Sequence, residues 1–133
     1  MSTRATGTFE TQAHPQPPYA AAEGVSLGRV SIEKRFQGDL AGAGQVEMLT
    51  AMTSVAGSAG YVAIERVSGT LQGRAGSFVL QHSGTMNRGD ASLAVSVVPD
   101  SGAGALAGIA GTMNIEIVDG KHLYTFDYTL PAS

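Results

Sequence analysis

Hydrophobic residues recur at every second position along most of the chain, which is the periodicity of a β-strand with one buried face. Short stretches rich in glycine separate the segments that carry this pattern. The pattern predicts eight strands, at residues 5–12, 25–40, 46–55, 61–71, 77–86, 92–98, 112–118 and 122–130. Helical patterns are weak and allow at most single turns. The sequence therefore predicts an all-β protein.

The very short connections between consecutive strands predict antiparallel neighbours. Eight such strands are typical of an antiparallel up-and-down β-barrel, because closure removes the exposed edges that long strands would otherwise present. We expect Gly42 and Gly44 to turn the chain between the second and third predicted strands. A length of 133 residues fits a single barrel domain over residues 1–133. The interior of an eight-stranded barrel is filled by side chains or holds one small ligand.

Tight turns determine which side chains meet across a hairpin. We place turns at Gly73-Arg74, Arg88-Gly89 and Asp119-Gly120, and the first of these puts Glu65 directly opposite His82. All three hairpins agree on one apolar face with this pair in its middle. The apolar residues of that face are Tyr61, Ala63, Val67, Phe78, Leu80, Leu93, Val95, Val97, Met113, Ile115, Ile117, Tyr124, Phe126 and Tyr128. The second predicted strand adds Val30, Ile32, Lys34, Phe36 and Leu40.

Composition excludes several classes of partner and site. The net charge is -3, and the eight Lys and Arg residues form no basic stripe, so we expect no nucleic-acid partner. The absence of cysteine excludes disulfides, thiolate metal sites and cysteine nucleophiles. No apolar signal core or membrane-length apolar run is present, so we expect a cytoplasmic protein without a membrane partner. A homodimer or another homo-oligomer is compatible with this composition.

Glu65 and His82 are the candidate catalytic residues. A buried carboxylate beside an imidazole can act as a general acid/base pair. Alternatively, the two groups neutralise each other and hold the barrel in register. A metal site that combines them with His122 is disfavoured, because no two histidines have the close spacing of metal ligands. No nucleotide or other cofactor motif is present, so we expect neither a cofactor nor a metal.

The candidate substrate-binding residues share the inward face of the predicted barrel. Lys34 either binds an anionic group, completes the polar cluster, or extends to solvent at the barrel rim. Tyr61, Tyr124 and Tyr128 either donate hydrogen bonds to a ligand or pack in the core. His122 follows a turn, and we expect it on the surface. The full set is Lys34, Phe36, Tyr61, Phe78, Leu80, Val95, Tyr124, Phe126 and Tyr128.

Several segments carry a resemblance to a known family. They are GTLQGRAGSFVLQHSG at residues 69–84, KRFQGDL at 34–40, VPDSG at 98–102, LAG at 106–108 and YTFDY at 124–128. Together they resemble a bacterial family of small barrels, a domain of unknown function, and the resemblance spans residues 7–130. It implies the eight-stranded barrel fold of the allene oxide cyclase type, distantly similar to lipocalins. It implies no catalytic residues.

Similar barrels include cyclases that enclose an apolar oxylipin or polyketide substrate while it closes a ring. By analogy we expect a cofactor-independent isomerase or cyclase that holds a small apolar or amphipathic molecule, with Glu65 and His82 moving a proton. The alternative is a non-catalytic, lipocalin-like binding protein for a small apolar ligand. A third hypothesis is a barrel packed solid that acts only through its surface. An interior cavity of about 300 Å³ or more would favour the first two.

Overall fold

The computed structural model describes residues 2–131 of the chain. This part contains ten β-strands and no helix, so it has no helix that is long and apolar enough to cross a membrane. The strands are β1 (Thr3–Pro15), β2 (Ala20–Ala22), β3 (Val25–Gly38), β4 (Leu40–Met52), β5 (Ala59–Leu71), β6 (Arg74–Asn87), β7 (Asp90–Val97), β8 (Ala103–Gly104), β9 (Ala110–Val118) and β10 (Lys121–Thr129).

Eight of these strands close into a barrel. Neighbours follow the order β1-β10-β9-β7-β6-β5-β4-β3, and β3 returns to β1, with every pairing antiparallel. β1 closes the barrel because its first half pairs with β10 and its second half with β3. The short β2 and β8 extend the edges of β3 and β6. The predicted all-β, eight-stranded antiparallel barrel is therefore confirmed.

Two of the three predicted tight turns are correct. Arg88-Gly89 and Asp119-Gly120 both have positive φ at their two central residues, as a type I′ hairpin turn requires. The third prediction, Gly73-Arg74, is wrong. The central residues there are Gln72 (φ 47°) and Gly73 (φ 87°), and the turn pairs Leu71 with Arg74.

The turn lies one residue earlier than predicted, and this shifts the pairing of β5 with β6 by two residues. Glu65 lies opposite Leu80, and His82 lies opposite Ala63, so Glu65 and His82 are diagonal and not directly opposite. Diagonal neighbours remain within reach of long side chains. Because the shift is an even number of residues, every side chain keeps its predicted face. Glu65 and His82 are therefore both buried in the interior, as predicted.

The prediction of a turn at Gly42 and Gly44 is also wrong. β4 already begins at Leu40, and the chain reverses at Gly38 (φ 104°). Gly42 lies within a strand pair whose backbones approach closely, since a Cβ there would be 2.2 Å from the carbonyl oxygen of Ser68. Glycine inside a strand commonly marks such an approach.

The barrel has a packed half and an open half. At the packed half, where β5 turns into β6, the ring centroids of Phe78 and Phe126 are 5.5 Å apart, and Tyr128 stacks on Phe126 at 5.3 Å. The connection from β7 to β9 covers this end with Leu106 and Ile109, both fully buried. The other end, where β9 turns into β10, is the mouth. The core therefore fills one half of the barrel interior.

Candidate functional site

A cavity of about 330 Å³ lies in the half of the barrel toward the mouth and opens there to solvent. Its wall is mostly apolar, and the polar side chains Lys34 and His82 form its floor. The remaining lining residues are Phe9, Thr11, Ala13, Ile32, Val46, Met48, Tyr61, Ala63, Leu93, Ile115, Ile117 and His122. Together with Lys34 and His82, they come from all eight strands of the barrel.

Three polar side chains meet at and beneath this floor. Glu65 Oε1 is 3.0 Å from Lys34 Nζ and 2.8 Å from His82 Nε2. The exposed side-chain fractions are 0% for Glu65, 7% for Lys34 and 5% for His82. Lys34 and His82 line the cavity, whereas Glu65 is not among the lining residues. Glu65 therefore lies behind the other two and acts on the cavity only through them.

Strand order explains how the cluster assembles. Lys34 is on β3, Glu65 on β5 and His82 on β6, so β4 separates the first two. At that point β4 carries Gly44, and a Cβ there would be 2.3 Å from Glu65 Oε2. The glycine leaves the space that the carboxylate occupies, so the Glu65 side chain can reach across β4 toward Lys34.

The charge state of Glu65 follows from opposing effects. Burial by itself raises the pKa of this carboxyl, but the hydrogen bond from His82, together with the charge and hydrogen bond of Lys34, outweighs burial. The net result is a pKa below the ordinary value of 4.5. An ionised carboxylate only accepts hydrogen bonds, so Nε2 of His82 carries a hydrogen and donates it. Nδ1 is then the ring nitrogen that is available to the cavity.

The Lys34 ammonium also has N–H groups that could donate further hydrogen bonds. The Lys34 ammonium carries three hydrogens, and within residues 2–131 its side chain makes one hydrogen bond, to Glu65. The same Nζ lies 4.5 Å from the centroid of the Phe9 ring, a cation–π contact. The alternative in which Lys34 extends to solvent at the rim is therefore wrong. Its unused N–H groups belong to a nearly buried cation beside an apolar cavity.

His122 and several residues of β1 line the cavity, although the sequence analysis did not place them there. His122 is half-buried, and its ring stacks on Phe9 with centroids 4.9 Å apart, so its prediction as a surface residue is wrong. The Asp119-Gly120 turn already places His122 opposite Ile117, an inward position, and this parity was the available signal. For Phe9 no comparable signal existed, because β1 has no short hairpin to either neighbour. Within residues 2–131 no group of three or more His, Asp or Glu residues could hold a metal ion.

Tyr61 lines the cavity, and its ring packs directly over Gly84, where a Cβ would be 2.5 Å from Tyr61 Cε1. Burial raises the pKa of the Tyr61 hydroxyl, so this group is a neutral hydrogen-bond donor at neutral pH. Of the three tyrosines that were predicted to face a ligand, Tyr61 is the one in the cavity wall.

The other predicted substrate-binding residues lie outside the lining. Tyr124 accepts a hydrogen bond from the amide of Leu40 (2.8 Å) and donates one to the carbonyl of Gln37 (3.0 Å), so it holds the β3–β4 turn. The hydroxyl of Tyr128 is hydrogen-bonded to the side-chain carbonyl of Gln72. The residues that pack in the core without lining the cavity are Phe36, Phe78, Leu80, Val95, Tyr124, Phe126 and Tyr128.

Together these features define a small antiparallel β-barrel with a solvent-open cavity above a buried polar cluster. The profile of DUF3224, described as a protein of unknown function, matches residues 5–128, and the chain belongs to this family. The predicted membership of a family of unknown function is thus confirmed. A similar solved structure is the crystal structure of a DUF3224 protein of unknown function from Shewanella oneidensis MR-1. Its TM-score is 0.94 at 50% identity, over 99% of this chain and 100% of that chain. No curated protein matches this chain.

Proposed function

We propose that the barrel encloses a small, mostly apolar molecule and is a cofactor-independent isomerase or cyclase that works by proton transfer. The observation that carries this proposal is the cavity of about 330 Å³ with Lys34 and His82 at its floor. Ligand pockets commonly have volumes of about 300–1,000 Å³, so this cavity suits a small ligand. Its apolar wall and few convergent polar groups are also typical of such pockets.

Each member of the polar cluster has a distinct role in this proposal. His82 is the catalytic residue, because Nδ1 is free to take a proton from the substrate and return it. Lys34 donates hydrogen bonds to a substrate oxygen on which negative charge develops. Glu65 is a positioning residue, since it fixes the imidazole tautomer through Nε2 and stabilises the imidazolium that forms. Tyr61 offers one further donor from the wall.

Blocking the mouth tests whether the cavity binds anything. Ala13 points into the cavity near the mouth, and the adjacent Gln12 points outward, so Ala13→Phe and Gln12→Phe form a matched pair. We expect the neutral fluorescent probe N-phenyl-1-naphthylamine to bind the wild type and Gln12→Phe equally. Ala13→Phe should bind about tenfold more weakly or worse. Absence of binding to the wild type, or equal binding by all three proteins, would contradict the proposal.

A non-catalytic binding protein is the second candidate function. The observation that favours it is the open mouth, where Leu93 is 40% and Ile117 is 68% exposed. An open cavity exchanges its ligand with solvent easily but shields a reaction from water less well.

Native mass spectrometry of protein from its own host separates the two functions. The co-purifying compound would be identified and then incubated with the wild type and with His82→Gln. Conversion by the wild type alone supports an enzyme with His82 as its proton acceptor. Recovery of the unchanged compound from both proteins supports the binding protein.

A further inference from the structure

We infer that the molecule this cavity takes is an enolisable carbonyl compound, which binds with its acidic proton on His82 and its oxyanion on Lys34. This inference deepens the proposed function and depends on it, because it concerns the same cavity. It specifies the chemical class of the substrate and the destination of the proton.

The charges of the cluster select this class. Lys34 and the ionised Glu65 form an ion pair with atoms 3.0 Å apart, so with a neutral imidazole the cluster carries no net charge. A neutral carbonyl compound that gives one proton to His82 becomes an anion beside a newly formed cation. The sum of charges in this apolar surrounding then stays at zero, which avoids the large cost of an uncompensated buried charge.

A preformed carboxylate fits the same floor less well. It would add a negative charge to a neutral cluster, and it has no proton to give to Nδ1 of His82. Its oxygens would then face the lone pair of that nitrogen. It would also lose its hydration on entering a cavity whose wall is mostly apolar. A ligand that enters neutral and ionises in place avoids each of these costs.

The proton-transfer step balances without a co-reactant. The C–H bond next to the carbonyl breaks, and its electron pair forms the C=C bond of the enolate. The proton moves to Nδ1 of His82, and the carbonyl oxygen takes the negative charge and accepts hydrogen bonds from the unused N–H groups of Lys34. Return of the proton to a different carbon of the conjugated system gives an isomer. Nothing is oxidised or reduced.

The other titratable groups around His82 do not provide a better proton acceptor. Glu65 from β5 holds Nε2, and Lys34 from β3 is a cation. Tyr61 from β5 and His122 from β10 also line the cavity. Burial raises the pKa of Tyr61, so it stays protonated, and His122 is stacked against Phe9. His14 lies outside the cavity beside Glu33, so it is the control for a general effect of replacing a histidine.

The test compares two probes with related carbon skeletons. 1-Phenylbutane-1,3-dione has an acidic C–H between two carbonyls, and 1-phenylbutan-1-one lacks the second carbonyl. Binding of each is measured by calorimetry, and ionisation of the bound dione by the ultraviolet absorbance of its enolate. We expect the apparent pKa of the dione to fall by at least about one unit on binding, a factor of ten in the ionisation constant. His82→Gln should abolish this shift, and His14→Gln, outside the cavity, should keep it.

The outcomes separate this inference from the proposed function. If both probes bind and the dione stays neutral, the assignment of an enolisable substrate is wrong, whereas binding in the cavity stands. If the enolate forms equally in His82→Gln, the proton goes elsewhere and the role of His82 is wrong. If neither probe binds the wild type although the circular dichroism spectrum is that of a folded β-protein, both the inference and the proposed function fail.

Discussion

Glu65 is fully buried and nevertheless ionised, because two donors meet at one of its oxygens. Its other oxygen, Oε2, is buried and has no hydrogen-bond partner within residues 2–131. A purely structural ion pair would be expected to satisfy both oxygens. The carboxylate instead concentrates its interactions on Lys34 and His82, which are the two members that face the cavity.

Removing one charge of this cluster should lower the free energy of unfolding more than removing both charges. Lys34→Met leaves the buried Glu65 charge without its cation, and we expect a loss of about 3–5 kcal/mol in the free energy of unfolding. The double variant Lys34→Met/Glu65→Gln should recover a substantial part of that loss, because no uncompensated charge remains. Urea denaturation of both variants measures this. A double variant that loses as much stability as Lys34→Met alone, or more, would contradict this prediction.

The depressed pKa of Glu65 predicts how stability depends on pH. The stabilisation from this carboxylate should be complete above about pH 4.5, its ordinary value, and should be lost as pH falls through the lower pKa of the folded state. Glu65→Gln should therefore be less stable than the wild type at pH 7, and the difference should shrink in acid. Asp127→Asn is the control, because the exposed pair of Asp127 with Arg4 should contribute little. Thermal unfolding between pH 7 and pH 3 measures this, and a constant gap between wild type and Glu65→Gln would contradict it.

At the scale of elements, the three type I′ hairpin turns that join neighbouring strands of the barrel share a pattern: a non-glycine residue at positive φ is followed by glycine. Arg88-Gly89 and Asp119-Gly120 are found from the sequence with glycine as the second central residue. At the third turn the sequence prediction puts Gly73 first, because glutamine, like arginine, has no intrinsic preference for positive φ and Gln72 gives no signal. Tertiary contacts hold it there. The amide of Gln72 donates to the carbonyl of Asp39 (2.8 Å), and its side chain is hydrogen-bonded to the hydroxyl of Tyr128.

The same substitution should therefore have opposite effects at two of these turns. Arg88→Asn should stabilise the protein by up to ~1 kcal/mol, because asparagine tolerates positive φ better and the hydrogen bond of Arg88 to Ser58 within residues 2–131 is made by its backbone amide. Gln72→Asn should destabilise it by about 1–3 kcal/mol, because the shorter side chain leaves the Tyr128 hydroxyl without its acceptor. Denaturant midpoints of the two variants measure the difference. Equal shifts would mean that the tertiary contacts of Gln72 are unimportant.

At the scale of the whole molecule, side-chain size along the inward face separates the packed half from the cavity. Phe78 and Phe126 fill the interior near the covered end, whereas Thr11, Ala13 and Ala63 occupy inward positions toward the mouth. Small residues on facing strands leave volume that no neighbour fills. The hypothesis of a barrel packed solid is therefore wrong for the half toward the mouth, where about 330 Å³ is free.

Substitution of two leucines on neighbouring strands tests this difference between the packed half and the cavity. Leu80 is fully buried in the packed half, and Leu93 is 40% exposed in the cavity wall. Leu80→Ala should cost about 2–5 kcal/mol through lost contacts and a new void. Leu93→Ala should change stability by less than ~1 kcal/mol, since that side chain already borders open space. Urea denaturation measures both, and similar losses would indicate that the cavity is closed in solution.

The sequence by itself determined the all-β class, the eight-stranded barrel, the face of nearly every central side chain and the burial of Glu65 with His82. These properties follow from two-residue periodicity and from glycine-containing turns, which are local and survive an even error in register. Tertiary structure alone decided that Lys34 completes the cluster across Gly44, that Glu65 lies behind the cavity floor, and that half of the barrel is open. These depend on closure of β1 against β3 and β10, and on the sizes of side chains that are distant in sequence. No local pattern encodes which of those side chains meet.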